Sequence, residues 1–171
     1  MSEESPLLVL TGIAAELMPD VGIAGSRAIG SDDALLRRNY VRAVFALIEG
    51  LNYARRYVAE ESTHLSAEAR SRAREAVRSE KKRLKDQDGS GVSDGLQLSF
   101  AAFAAAEEVD NPLVDSGPEW NTFLEAVAVR NRITHPRSGA DCRVSDSDLV
   151  LIHAALRWYQ ELDTKLMVAA R

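Results

Sequence analysis

The segment RNRITH at positions 130–135 combines the side chains that phosphodiester chemistry requires. An imidazole titrates near neutrality and can take or give a proton, a guanidinium can hold a phosphate through two hydrogen bonds, and an amide can orient either group. In RNA the 2′-hydroxyl beside the scissile phosphate is a ready nucleophile, so a base, an acid and a cation could suffice. The segment therefore indicates RNA cleavage, with Arg130, Asn131 and His135 as catalytic candidates.

The helical positions of these side chains predict where they point. When Trp120 is set at zero and each residue adds about 100°, Asn131 falls at about 20°, His135 at about 60° and Arg130 at about 280°. These polar groups continue the apolar stripe of the first turns, whereas Ile133, at about 220°, points away from it. Because buried polar groups need partners, this pattern predicts a hydrogen-bond network, a polar cleft or a contact with another chain.

Purely structural roles for the same residues stay open. Arg130 could neutralise a buried Glu49, and His135 could cap the helix by hydrogen-bonding its last carbonyls. Both roles are compatible with catalysis. Glu49 and Thr134, which precedes His135, are therefore the supporting candidates.

The segment 125–136 resembles the signature of HEPN domains, an Arg followed a few residues later by a His. The spacing from Arg130 to His135 lies at the short end for that family, in which Asn is common at the position of Asn131 and Pro at that of Pro136. The segment 37–49 also resembles the long core helix of the family. The resemblance covers roughly Ser31 to Leu166.

This resemblance implies an up-and-down helical bundle that forms a homodimer, with two copies of the motif facing each other in a cleft. It also implies a metal-independent ribonuclease, a toxin or a phage-defence effector, with an antitoxin or regulatory protein as a further partner. The chemistry supports the dimer independently. In-line displacement needs a base and an acid on opposite sides, and each chain offers one motif histidine, His135.

A competing hypothesis is a non-catalytic interaction module. Degenerate HEPN domains of this kind dimerise or bind nucleotide or protein partners. In such a module Arg130 and His135 would serve structure alone. Intact Arg130, Asn131 and His135 favour the catalytic interpretation.

The composition narrows the class of protein. The chain has 171 residues, 46% hydrophobic and 27% charged, which is ordinary for a globular domain. Its single cysteine, Cys142, excludes an intrachain disulfide and a thiolate zinc cluster, so we expect no metal or cofactor. The net charge of -5 indicates that any RNA site is local. The apolar runs near the N-terminus are short and interrupted, which predicts a cytoplasmic protein without a membrane span.

Periodicity predicts an all-α fold of about six helices in one domain, 1–171. Residues 1–30 form an N-terminal helix and connector, and 31–168 form the core bundle, interrupted by a flexible connector at 88–95. The expected helix boundaries are a stop at Pro19, a Gly-containing connector from Gly22 to Gly30, an N-cap at Ser31, an N-cap at Ser66, an Ala-rich helix from Leu96 to Glu108, a start at Gly117-Pro118, a stop near His135 and a capping box at Ser145.

The third of these helices is strongly basic between Arg70 and Lys85. Lys81, Lys82 and Arg83 are candidate RNA-binding residues, together with Arg132 of the motif. Since consecutive cations spread around a helix, an ordinary solvated surface is the alternative.

Overall fold

The computed structural model describes residues 6–85, 91–113 and 115–170, and these contain helices and no β-strand. The all-α prediction with about six helices is confirmed. The helices are α1 (Pro6–Ala28), α2 (Ala34–Glu61), α3 (Ala67–Leu84), α4 (Gly91–Glu107), α5 (Pro118–Thr134) and α6 (Asp146–Ala169).

The described residues divide into two compact units, to both of which α1, α2 and α6 contribute. The α3–α4 unit comprises 6–14, 49–85, 91–113 and 161–170, and the α5 unit comprises 15–48 and 115–160. The prediction of a single domain is not tested by this division and stays a prediction.

In the α3–α4 unit, α3 packs against α4 through small side chains. Ser66 caps α3 as predicted, because its hydroxyl accepts a hydrogen bond from the Ala69 amide at 3.0 Å. Arg72 of α3 donates to the carbonyls of Ala105 and Ala106, near the end of α4, at 3.0 and 3.1 Å. These bonds satisfy carbonyls that a helix end leaves without an intrahelical partner.

Helix α4 begins earlier than the sequence indicated. The connector predicted over 88–95 is helical from Gly91, while 88–90 lie outside the described residues. Val92 and Leu96, one turn apart, are both buried, and their packing outweighs the low helix propensity of Gly91 and Gly95.

In the α5 unit, α1 continues through Pro19 to Ala28, so the predicted stop at Pro19 and the connector from Gly22 to Gly30 were wrong. Packing outweighs the missing proline hydrogen bond, because Val21 and Gly25 are buried on one side of the helix. A Cβ on Gly25 would lie 3.1 Å from the Tyr40 ring, so glycine permits this close approach.

The length of α1 also bears on the membrane prediction. Its segment Leu8–Ala28, 21 residues, is long and apolar enough to cross a membrane, since an 18-residue window in it has a mean hydropathy of 1.4, and 17% of that window is buried. The expectation that the apolar runs are too short was therefore wrong as to length. Core helices and N-terminal signal sequences pass the same test, so the location in the cell stays a prediction.

The cap of α2 lies two residues after the predicted one. The Asp33 carboxylate accepts from the amides of Leu35 and Leu36 at 2.7 and 3.2 Å, whereas the Ser31 hydroxyl accepts from Asp33 itself. Asp33 is therefore the N-cap. The predicted capping box of α6 is confirmed: the Ser145 hydroxyl accepts from the Asp148 amide, and the Asp148 carboxylate accepts from the Ser145 amide at 2.7 Å.

Candidate functional site

Helix α5 carries the motif and is fixed at its first turns by an aromatic cluster. Gly117, with φ of 93°, precedes Pro118 at the first helical position, as predicted. Trp120, Phe123 and Trp158 of α6 contact one another with ring centroids 5.4 to 6.1 Å apart. This cluster packs the first turns of α5 against α6 and so fixes the orientation of the helix that carries the motif.

The helix ends at His135, as the following proline predicts. The His135 amide donates to the Asn131 carbonyl at 2.9 Å, and its backbone leaves the helical region with φ of -125° and ψ of 61°. The His135 side chain is exposed. The predicted helix end is confirmed, and the imidazole lies on the surface of the α5 unit.

The prediction that Ile133 points away from the buried side of α5 was wrong. Ile133 is buried, with 3% of its surface exposed, whereas His135 is exposed and Asn131 is half-buried. The prediction extended the direction of Trp120 unchanged, but the buried side of α5 widens through Ala126 and Val129 until it includes Ile133. Apolar packing therefore continues to the end of α5, and the motif's polar groups lie beside it.

Arg130 and Asn131 are brought together at the edge of this packed side. Both are half-buried, and Arg130 Nη1 donates to Asn131 Oδ1 at 3.2 Å. Thr134 is exposed, and its hydroxyl donates to the Arg130 carbonyl at 2.8 Å, an ordinary bond within a helix. The Asn131 amide thus restricts the Arg130 guanidinium, and Arg130 lies about one and a half helical turns before His135.

Arg132 lies between these residues and holds the loop that follows them. Its Nη2 is 2.6 Å from the Asp148 carboxylate, and its Nη1 donates to the carbonyls of Asp141 and Arg143. A guanidinium with these partners fixes the path of residues 136–145. The structure gives Arg132 a positioning role, and its predicted contact with RNA stays a prediction.

Two arginines of α2 hold the same loop, and sequence reasoning missed both. Arg37 is buried, and its guanidinium donates to the Val144 carbonyl at 3.1 Å and lies 2.7 Å from Asp146. Arg38 donates to the Cys142 carbonyl at 3.2 Å. The sequence presents these arginines as ordinary cations near a helix start, so only the long-range contacts reveal their role.

Two carboxylates of the loop region have lowered pKa values. The amide of Arg137 donates to Asp141 and is the largest influence lowering its pKa, with Ser138 adding a further hydrogen bond. Burial raises the pKa of Asp148, but hydrogen bonds from Arg132 and Ser145 outweigh it, and the net pKa is lowered. Both carboxylates therefore stay ionised and keep the loop in place at neutral pH.

The remaining candidates belong to the α3–α4 unit. Lys81, Lys82 and Arg83 are exposed on α3, and Arg83 pairs with Glu80 at 2.5 Å. Five arginines of this basic stretch contact carbonyls or carboxylates of the chain: Arg70, Arg72, Arg74, Arg78 and Arg83. Glu49 is half-buried and lines a cleft described below. Glu49 belongs to the α3–α4 unit and Arg130 to the α5 unit, and their predicted pairing stays a prediction.

Within the described ranges, no three His, Cys, Asp or Glu side chains lie close enough to share a metal ion. The thiol of Cys142 is unpaired with another cysteine and half-buried. His153 is exposed, and its Nδ1 lies 3.4 Å from the Tyr40 hydroxyl.

Comparisons of the chain with protein-family models, with curated proteins and with solved structures found no match. The resemblance to HEPN domains therefore depends on the motif and helix residues alone.

Proposed function

We propose that this chain is a HEPN-like endoribonuclease that cleaves RNA without a metal ion, with Arg130, Asn131 and His135 as its catalytic residues. The observation that carries the proposal is the exposed imidazole of His135 at the end of α5, in the same helix end as a guanidinium oriented by an amide. An exposed base can reach a ribose hydroxyl, and a restricted guanidinium can meet a phosphate.

The surroundings of His135 support the proposal because they restrict its position. The aromatic cluster fixes the beginning of α5, and Arg132 holds the loop after His135. A catalytic group gains from such support, since small displacements of a base or acid reduce the rate of proton transfer.

The reaction follows from the groups present. His135 takes the proton of the 2′-hydroxyl, the 2′-oxygen forms a bond to phosphorus, and the bond from phosphorus to the 5′-oxygen breaks. A second imidazole gives a proton to the leaving 5′-oxygen, so the products are a 2′,3′-cyclic phosphate and a 5′-hydroxyl. Arg130 stabilises the charge on the phosphate, and Asn131 orients Arg130.

The second imidazole is the His135 of another copy of the chain in this proposal. A homodimer with its two motifs opposed supplies one base and one acid. Mixing wild-type chains with excess His135→Ala chains should therefore lower the activity per wild-type chain, because mixed dimers lack one proton-transfer group. Unchanged activity per wild-type chain in the mixture would contradict the shared site.

The direct test uses purified protein with total RNA and tRNA in EDTA. His135→Ala should lower the cleavage rate by about 10²–10⁴-fold, the usual contribution of a general acid or base. Arg130→Ala should lower it by about 10²–10³-fold, as expected on loss of a group that stabilises developing charge. The matched control is His64→Ala, which removes an exposed histidine outside the motif and should leave the rate unchanged.

Circular dichroism of each variant distinguishes loss of chemistry from loss of fold. A helical wild type that cleaves no RNA, or a His135→Ala variant with full activity, would contradict the proposal. The first outcome would favour a non-catalytic interaction module.

The cellular role that we propose is that of a toxin or phage-defence effector, controlled by an antitoxin or regulatory protein. Expression of the wild-type chain should arrest growth, and His135→Ala should relieve the arrest at an equal protein level. Arrest by both chains would contradict a toxic activity that depends on RNA cleavage.

A further inference from the structure

Two tyrosines of α2 are exposed and nearly parallel in the α3–α4 unit. Tyr53 and Tyr57 are 68% and 56% exposed, their ring centroids are 6.5 Å apart, and their planes differ by 11°. Exposed ring faces are the usual surface for stacking a flat aromatic group.

A cleft of about 190 Å³ lies beside Tyr53. Drug-sized ligands occupy about 300–1,000 Å³, so this cleft suits one flat ring system whose remaining groups stay outside. The residues that line it are Glu49, Asn52, Tyr53, Arg56, Gly91, Val92 and Gly95. It therefore combines a stacking face with hydrogen-bonding groups of both kinds.

Asn52, which lines the cleft, is held by a buried network. Its Oδ1 accepts hydrogen bonds at 3.0 Å from both Arg55 Nη1 and Ser99 Oγ, and Asn52 itself is only 4% exposed. Arg55 is completely buried, pairs with Asp163 and lies 4.5 Å from the centroid of the Phe100 ring. Such a network fixes the orientation of Asn52 and so gives the cleft a rigid wall.

The charges around the cleft favour a base over a phosphate as the group it receives. Arg56 lies 3.3 Å from Glu60, and Glu49 adds a carboxylate to the lining. These acids reduce the attraction of Arg56 for an anion. Stacking, which does not depend on charge, is therefore the main interaction that this surface offers.

We propose that the cleft binds an unpaired nucleobase of single-stranded RNA, stacked on Tyr53, and that Tyr57 stacks the neighbouring base. Glu49, which is half-buried in the lining, hydrogen-bonds the edge of the base in the cleft. The choice of RNA as occupant rests on the proposed ribonuclease function. The residues of the cleft are not those proposed for catalysis, and a probe that cannot be cleaved tests binding alone.

The test measures binding of a fluorescein-labelled 2′-O-methyl RNA hexamer by fluorescence anisotropy, because this probe lacks the hydroxyl needed for cleavage. Tyr53→Ala should weaken binding by about fivefold to more than a hundredfold, the range for losing one stacked base. Tyr53→Phe keeps the ring and should bind within about twofold of the wild type. An abasic hexamer of equal charge should bind weakly to all three proteins.

A second variant fills the cleft without removing an aromatic group. A Cβ at Gly95 meets no atom within 4 Å, and Gly95 lies within α4, so Gly95→Leu should fold and occupy the cleft. It should weaken hexamer binding as Tyr53→Ala does, with an unchanged circular-dichroism spectrum.

This inference would be overturned if Tyr53→Ala and Gly95→Leu both bound the hexamer with wild-type affinity. It would also be overturned if these variants lost as much affinity for the abasic hexamer as for the hexamer with bases. Neither result would contradict the ribonuclease proposal. Since hexamer binding and RNA cleavage are measured separately, failure of one proposal can be distinguished from failure of the other.

Discussion

Arg132 Nη2 lies 2.6 Å from Asp148 Oδ2, and this ion pair joins the last turn of α5 to the first turn of α6. The same Asp148 carboxylate accepts from the Ser145 amide and hydroxyl at 2.7 and 2.9 Å. One carboxylate therefore both caps α6 and fixes the helix end that carries His135. The contact connects the stability of the α5 unit with the position of its candidate catalytic group.

Arg132→Ala should lower the free energy of unfolding by about 1–2 kcal/mol, the range for charge-assisted hydrogen bonds reduced by partial exposure to solvent. The loss arises because Asp148 and the loop carbonyls of Asp141 and Arg143 lose their shared donor. Urea denaturation measures the effect. Arg137→Ala is the control, since this exposed arginine contributes its backbone amide to Asp141, and should change stability by less than about 0.5 kcal/mol. Equal stability of the two variants would contradict the role of Arg132.

The pH dependence of stability should reflect the lowered pKa of Asp148. A carboxyl whose pKa is lower in the folded than in the unfolded chain stabilises the fold above its unfolded value, and this contribution is lost as pH falls through the folded value. The Asp148 contribution should therefore begin to fall at about pH 4, the ordinary pKa of aspartate, and be lost as pH drops further through the lowered folded pKa.

Urea denaturation between pH 6 and about pH 3 tests this expectation, since that range spans the ordinary aspartate pKa. As pH falls below about 4, the free energy of unfolding should decrease more steeply for the wild type than for Asp148→Asn, because the variant has no carboxyl at position 148 to protonate. Parallel curves for the two proteins would show that Asp148 does not contribute.

The buried Arg55 of the α3–α4 unit should depend strongly on Asp163. Asp163→Asn leaves a fully buried guanidinium without its charged partner, and breaking a buried pair costs about 3–5 kcal/mol. We expect about 2–3 kcal/mol here, since the Asp163 side chain is 32% exposed. The measurement is the free energy of unfolding in urea.

The control for this prediction removes both charges. Arg55→Met combined with Asp163→Leu leaves no buried charge, and should be more stable than Asp163→Asn alone. A double variant less stable than Asp163→Asn would mean that Arg55 acts through packing rather than through its charge.

The helices and several of their ends could be predicted because the signals are local. Ser66 and Ser145 accept hydrogen bonds from amides in the first turns of their helices, and Pro118 occupies the first helical position of α5. Such signals extend over only a few residues. The end of α1 could not be predicted in this way. Packing of Gly25 against Tyr40 keeps the chain helical beyond Pro19, and no local pattern encodes that contact.

In the candidate site, too, the local features could be predicted and the long-range contacts could not. The residues Arg130, Asn131 and His135 were identified from their types and spacing, and the helix end at His135 was predicted from Pro136. Which side of α5 is buried depends on neighbouring elements, so the predicted direction of Ile133, away from the buried side, was wrong. The loop contacts of Arg37, Arg38 and Arg132 were also missed, because each joins residues distant in the sequence or across a turn.

The central claim is that His135 and Arg130 cleave RNA by attack of the 2′-hydroxyl. The most direct measurement is mass spectrometry of the ends produced from a defined RNA by the purified chain in EDTA. We predict 2′,3′-cyclic phosphate and 5′-hydroxyl ends at each cut, and no cut where a single 2′-deoxy residue precedes the bond. Ends bearing a 3′-hydroxyl and a 5′-phosphate, or cleavage at the 2′-deoxy position, would contradict the account.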